Sequence, residues 1–208
     1  SLIKALEHAG THYSTRVTIQ WIETTELTKS NVEEAVNGVN GIIVPGGFGR
    51  RGAEGKILCA KYARENNVPY LGLCFGFQIA LVDCARHVCR LKDANSTELD
   101  AQTKHPVIDL LPEQKALESL GGSMRLGGKD VVLVRGTKAH TLYGKGVIRE
   151  RFRHRYECNP DYIATFEKHG IVFSGKAPDQ PIMQILELKN HPFFMATQFH
   201  PEFTSRPL

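Results

Sequence analysis

Apolar positions along the chain change their period several times, and the changes predict a series of elements. Leu2, Ile3, Leu6 and Ala9 recur at helical spacing up to Gly10, which reads as a C-cap. Val17–Ile22 (VTIQWI) alternates apolar and polar residues and is rich in β-formers, the pattern of a strand. Ser30 to Asn37 reads as a short helix, with Ser30 as N-cap and Glu33 at capping-box spacing. Gly41–Val44 reads as a short buried strand ending at Pro45, residues 53–66 as a helix, and Pro69–Leu73 as another strand. Residues 75–91 form a strongly apolar helical segment. Beyond Asp93 the texture changes: residues 124–134, 147–157, 171–175, 182–188 and 193–199 read as strands, with one helix at 160–169.

The β-α-β-α order of the first part predicts an α/β fold, a mostly parallel central sheet flanked by helices with an added antiparallel strand region. Without a repeat, a low-complexity stretch or a linker, residues 1–208 read as one domain. A doubly wound domain usually opens on a strand, whereas this chain opens on a helix and stops at TSRPL, so it reads as a fragment of a longer polypeptide.

Composition narrows the class. The 208 residues are 41% hydrophobic and 23% charged, ordinary for a globular protein. No apolar run approaches the ~20 residues of a membrane helix, and Lys4, Glu7 and His8 interrupt the start where a signal peptide would be apolar. A net charge of +4 gives no reason to expect nucleic acid as a partner. The five cysteines are an odd number without CxxC pairs, which argues against a disulfide framework or a metal site and for a reducing, cytoplasmic compartment.

Candidate chemistry centres on Tyr70-Leu71-Gly72-Leu73-Cys74-Phe75-Gly76-Phe77-Gln78. A buried strand runs into Cys74 and an apolar helix leaves it, with Gly72 and Gly76 making G-x-C-x-G. This is the sulfur counterpart of the nucleophile elbow, in which small neighbours permit a strained strand-to-helix turn. It sets the sulfur at a helix N-terminus, whose partial positive charge favours thiolate, and frees the Phe75 N–H to stabilise an oxyanion. The bland alternative is a small buried core residue. A nucleophile needs a base, and of nine histidines only His200, in Gln198-Phe199-His200-Pro201-Glu202-Phe203, follows a strand and has a carboxylate two residues on to hold its tautomer. His191-Pro192 and His105-Pro106 read as surface turns.

Two further patterns allow more than one reading. The loop Pro45-Gly46-Gly47-Phe48-Gly49-Arg50-Arg51-Gly52 holds G-x-G-x-x-G between a strand and a helix, as a dinucleotide fingerprint does. The next strand, however, ends at Cys74 and not at a ribose-binding acid, so a tight turn offering the Gly47 N–H to an oxyanion is preferred. Arg149, Arg151, Arg153 and Arg155 alternate along one strand and so share a face, by default a solvated one, with at most one or two touching an anionic group.

LGLCFGFQ, PGGFGRRG and QFHPEF together resemble the class I (triad) glutamine amidotransferases. Asn95-Ser96-Thr97-Glu98, Gly121-Gly122-Ser123-Met124-Arg125-Leu126-Gly127, Arg153-His154-Arg155-Tyr156-Glu157 with Asn159, and QFHPEFTSRP narrow the resemblance to the CTP synthase glutaminase domains. The resemblance implies hydrolysis of L-glutamine, with Cys74 forming a glutamyl thioester, His200 moving protons and Glu202 orienting it. It implies that Gly47, Phe75, Gly76, Phe77, Gln78, Glu98 and Arg155 bind glutamine, Glu98 through the α-ammonium. It further implies ammonia delivery to a synthetase domain of the same polypeptide that aminates UTP to CTP with ATP and Mg²⁺, activation by GTP, and a homo-oligomeric, tetrameric parent. No cofactor is implied for this domain. Phe75 and Phe77 replace the commoner Leu and Met, and Ser123 the commoner Thr. A different triad glutamine or γ-glutamyl hydrolase, or a non-catalytic nucleotide-binding domain, are the competing expectations.

Overall fold

The structure, a computed structural model, describes residues 1–111 and 124–207. Ten strands are described: β1 Ile42–Val44, β2 Tyr70–Leu73, β3 Ala94–Ser96, β4 His105–Asp109, β5 Arg125–Leu133, β6 Val147–His154, β7 Glu157–Cys158, β8 Ile171–Lys176, β9 Met183–Leu188 and β10 Phe194–Thr197. The helices are α1 Leu2–His12, α2 Val32–Ala35, α3 Ala53–Glu65, α4 Phe75–Asp83, α5 Lys138–Tyr143 and α6 Ile163–Lys168. A π-helical turn, Cys84–Val88, prolongs α4.

Seven strands make one mixed sheet in the order β1-β2-β10-β9-β8-β5-β6, and β3-β4-β7 form a small second sheet. β1, β2 and β10 run parallel, and the pairings from β10 outward to β6 are antiparallel. The predicted α/β architecture is therefore found, but the sheet is mixed and not mostly parallel: two of its six pairings are parallel, and the antiparallel region grows directly from the edge of the parallel one. Side chains that alternate along a strand sort into two cores. Phe194, Ala196 and Leu186 join the larger cluster, with Ile57 of α3, Ile79 of α4 and Phe166 of α6. Met195 and Ile185, one residue out of phase, join the smaller cluster on the opposite face, with Ala139 of α5 and Phe152 of β6. α4 is buried along all nine residues, which explains why it is apolar on every side.

Several expectations are corrected. α1 runs past Gly10 to His12, because the chain doubles back onto Gly10: Thr15 N–H bonds its carbonyl at 2.8 Å, and a Cβ there would stand 2.7 Å from the Thr15 oxygen. Val17–Ile22 is not a strand; it joins no ladder among the described residues, and Trp21 is exposed. Ser30 does not cap α2. Asn31 holds that position, and its carboxamide is used in the preceding turn, accepting from Thr28 N at 2.7 Å and donating to the Glu26 carbonyl at 3.1 Å. β3, β4 and α5 had no counterpart in the sequence reading. Of the GGSMRLG segment, Gly121, Gly122 and Ser123 lie outside the described residues.

Candidate active site

β2 and β10 are parallel neighbours with Leu73 opposite Thr197, so Cys74 and His200 leave the sheet at the same, carboxyl-terminal end. Cys74 has φ 53° and ψ −98°, the strained conformation of an elbow, and its N–H is pinned to the Thr197 carbonyl at 2.7 Å. The two flanking glycines are required by close approach. A Cβ on Gly72 would meet the Gly76 carbonyl and the Ala196 Cβ, and one on Gly76 would run into the Val44 carbonyl. With glycine at both positions, the first turn of α4 lies directly against β1, β2 and β10.

The sulfur is almost fully buried. Burial pushes the Cys74 thiol up to about 12; the Phe75 N–H works against this, but the charges of Glu202, Glu157 and Glu98 reinforce it. Desolvation and three carboxylates thus oppose the thiolate that the helix N-terminus favours. Cys74 Sγ donates to the Arg153 carbonyl at 3.7 Å, and Gln198 Nε2 stands 3.9 Å from it.

His200 is fixed from three sides. Its N–H donates to the Arg151 carbonyl of β6 at 2.9 Å, its Nδ1 meets Glu202 Oε1 at 2.8 Å, and its ring stacks on Phe203 at a centroid distance of 4.4 Å. With Nδ1–H donating to the carboxylate, Nε2 is left as the basic nitrogen, the tautomer a general base requires. A fourth contact comes from the glycine loop, where a Cβ on Gly46 would stand 2.6 Å from His200 Cε1. The sequence reading placed Gly46 in a tight Pro-Gly-Gly turn but gave it no role of its own.

Gly47 lies beside the Phe75 ring, which a Cβ there would touch at 3.8 Å. Glu98, which follows β3, accepts from Gly49 N–H at 2.9 Å and so ties the loop down. That bond counts against the dinucleotide reading, since the amide a pyrophosphate would need already faces a carboxylate. Phe77 is fully buried in the larger core, so any contact it makes with a ligand falls on its backbone. Gln78 is buried too: Nε2 donates to the Tyr156 carbonyl at 3.1 Å, and Oε1 has no partner among the described residues. Residues 153–156 therefore cross the elbow, Arg153 by its carbonyl to sulfur and Tyr156 by its carbonyl to Gln78, with exposed Arg155 between them. Arg149, Arg151 and Arg153 do share the exposed face of β6, and Arg155 lies just beyond its end.

Sequence reasoning gave Glu157 no role of its own. It is fully buried, held by Arg125 Nε at 2.7 Å and close to His154 Nε2 at 2.8 Å. Burial acts to raise its carboxyl, but His154 and Arg125 outweigh burial and hold it below the usual carboxylate range. His191, expected in a surface turn, is buried with Nε2 against the Ala63 carbonyl at 3.0 Å.

A strained cysteine elbow and a carboxylate-held histidine leave neighbouring parallel strands at the same, carboxyl end of the sheet, the arrangement on which cysteine-dependent acyl transfer can be built. The class-I glutamine amidotransferase family model matches residues 1–208, and the chain belongs to that family. Within it, the chain is 53% identical over 207 residues to CTP synthase of Bacillus subtilis and 56% identical over 207 residues to that of Carboxydothermus hydrogenoformans. Each alignment covers 100% of this chain and 39% of the relative, so the chain spans about two-fifths of the length of these relatives. The glutaminase domain of Trypanosoma brucei CTPS, solved with bound acivicin, superposes with a TM-score of 0.93 at 33% identity, covering 99% of this chain and 81% of that one.

Proposed function

We propose that this chain is a single glutaminase domain of a CTP synthase polypeptide, and that it hydrolyses L-glutamine through a thioester on Cys74. The observation that carries the reading is that the Cys74 elbow and His200, whose Nδ1 is held by Glu202, leave neighbouring parallel strands at the same end of the sheet. With burial and three carboxylates favouring the thiol, deprotonation accompanies attack. The thiol turns from the Arg153 carbonyl, its proton passes to His200 Nε2, and Sγ bonds to the γ-carboxamide carbon. The Gly47 and Phe75 N–H groups receive the oxyanion. His200 then returns the proton to the departing nitrogen, which leaves as ammonia. A water deprotonated by His200 attacks the thioester, releasing glutamate and restoring the thiol. Glu98 binds the α-ammonium, and the 75–78 backbone with Arg155 lines the rest of the glutamine site.

The similarity to CTP synthases extends the proposal to the whole protein. Ammonia passes to a synthetase domain of the same polypeptide, where ATP and Mg²⁺ activate UTP for amination to CTP. Activation by GTP, a tetrameric parent and a cytoplasmic setting belong to the same reading.

Intact mass after treatment with an electrophilic glutamine analogue tests the site without demanding turnover. The expected result is a single adduct, mapped to Cys74 and suppressed by excess L-glutamine. Adducts spread over the five cysteines would refute a formed glutamine site.

A further inference from the structure

Gln198 lies just past the end of β10 and is fully buried. Its N–H bonds the Gln184 carbonyl of β9 at 2.9 Å, which fixes where its side chain starts. Burying a carboxamide costs free energy unless it is bonded, and here both ends are engaged. Oε1 accepts from Gln78 Nε2 at 3.5 Å, while Nε2 donates to the Cys74 carbonyl at 3.3 Å and stands 3.9 Å from Cys74 Sγ. Backbone carbonyls only accept, so they dictate which way each amide faces. The Tyr156 carbonyl takes the NH₂ end of Gln78, and the Cys74 carbonyl takes the NH₂ end of Gln198. The donor end of Gln198 is therefore the end at the elbow.

The Cys74 carbonyl has donors enough without it, since the N–H groups of Phe77 and Gln78 reach it at 3.0 and 3.4 Å. The sulfur is the atom in need. As a thiol it donates to the Arg153 carbonyl at 3.7 Å; once ionised it faces that acceptor with nothing to give. Burial and the charges of Glu202, Glu157 and Glu98 oppose the ionised form, and the Phe75 N–H favours it. As attack proceeds, however, the Phe75 N–H turns to the oxyanion, and the sulfur loses that support.

We propose that Gln198 is a further catalytic residue: one Nε2 hydrogen stays on the Cys74 carbonyl, and the other bonds Sγ while the sulfur passes its proton to His200 and attacks the substrate carboxamide. The proposal rests on the triad reading above. The contact is strongest while the sulfur carries charge and weakens in the thioester, so it favours the transition state over the resting thiol.

The test compares wild type with Gln198→Met, which keeps the length of the side chain and removes the donor. Two rates are measured: iodoacetamide labelling at about pH 9, mapped to Cys74 by peptide mass, and kcat for glutamate release. Both should fall about tenfold or more, the worth of a hydrogen bond to a charged group. A side chain that merely packed would give the opposite sign in labelling, because a loosened elbow uncovers the sulfur. Labelling at or above the wild-type rate in folded Gln198→Met overturns the proposal, and so does an unchanged kcat. If that variant does not fold, Gln198→Asn decides: it keeps an amide but draws it back from the sulfur by one carbon, so labelling must again slow, and an unslowed rate overturns the proposal. Cys74→Ala and His200→Asn serve as controls. If either releases glutamate at the wild-type rate, the triad reading fails and this proposal falls with it. Silent controls beside unslowed labelling sink this proposal alone.

Discussion

Gly46 and His200 touch: the position a Cβ would take on Gly46 lies 2.6 Å from the Cε1 atom of the imidazole. The glycine loop thus shapes the site by what it lacks, leaving room for a ring that Glu202 and Phe203 hold from the other side. A methyl group at Gly46 must push the ring from the place that Glu202 and Phe203 give it. Gly46→Ala should lower kcat for glutamate release about a hundredfold, the usual cost of an ångström-scale misplacement, with little change in thermal midpoint. A variant that hydrolyses glutamine normally would show that the ring has another place to go.

The buried Cys74 thiol sets a pH signature. With the thiol pushed up to about 12, the free protein carries little thiolate at neutral pH. Iodoacetamide labelling of Cys74 should therefore keep accelerating through pH 9 and 10, where an unperturbed cysteine has levelled off above about 8.5. The sign for stability is the same. A thiol raised on folding contributes fully below the unfolded value, and its contribution is lost as pH climbs through the folded one. Cys59 and Cys89, pushed up to about 11 by burial, add to that alkaline loss. A labelling rate already on a plateau at pH 7 would mean that the thiolate is stabilised after all.

What the sequence disclosed follows the range of the forces involved. The elbow, the histidine and its acid are written in contiguous residues, G-x-C-x-G and His-Pro-Glu, because local backbone geometry demands them. The long strands β5, β6, β8 and β9 were legible because each runs for six or more residues, and β6 alternates exposed and buried positions along its whole length. β3 has only three residues and the second sheet's pairings join distant segments, so no local period announces them. α5 was a missed opportunity: Thr137 caps it by accepting from His140 N–H, and Gly144, at φ 63°, ends it, both ordinary boundary signals. Val17–Ile22 misled because alternation shows β-propensity and says nothing about a ladder partner. Glu98 on the glycine loop, Gly46 on His200 and Glu157 near Cys74 are tertiary facts, invisible to spacing.

Gly76 separates close packing from backbone freedom. Its Cβ would run into the Val44 carbonyl, and α4 cannot retreat because all nine of its residues are buried. Gly76→Ala should cost about 3 kcal/mol in denaturant unfolding, the upper range for overpacking. Gly38→Ala is the comparison: at φ 75° with nothing within 4 Å, it should cost only about 1 kcal/mol of backbone strain. Equal losses in the two variants would place the cost in the backbone and not in the contact with β1.

Glu157 joins stability to reactivity. It is buried with Arg125 and His154 as its partners, and its charge helps to keep the Cys74 proton in place. Removing that charge leaves Arg125 half-buried opposite a neutral amide, so Glu157→Gln should destabilise the fold by about 3 kcal/mol at neutral pH. Because the folded carboxyl lies below its usual range, its contribution is present above the unfolded value, about 4.3, and disappears as pH falls through the folded one. Wild type and variant should therefore converge in acid. The same substitution removes one of three carboxylates acting on the sulfur, so the Cys74 labelling profile should slide to lower pH. Both effects have one cause and are read on one protein sample. A variant that lost stability without shifting the labelling profile would confine Glu157 to holding residues 154–157 in place, and the field at the sulfur would then belong to Glu202 and Glu98.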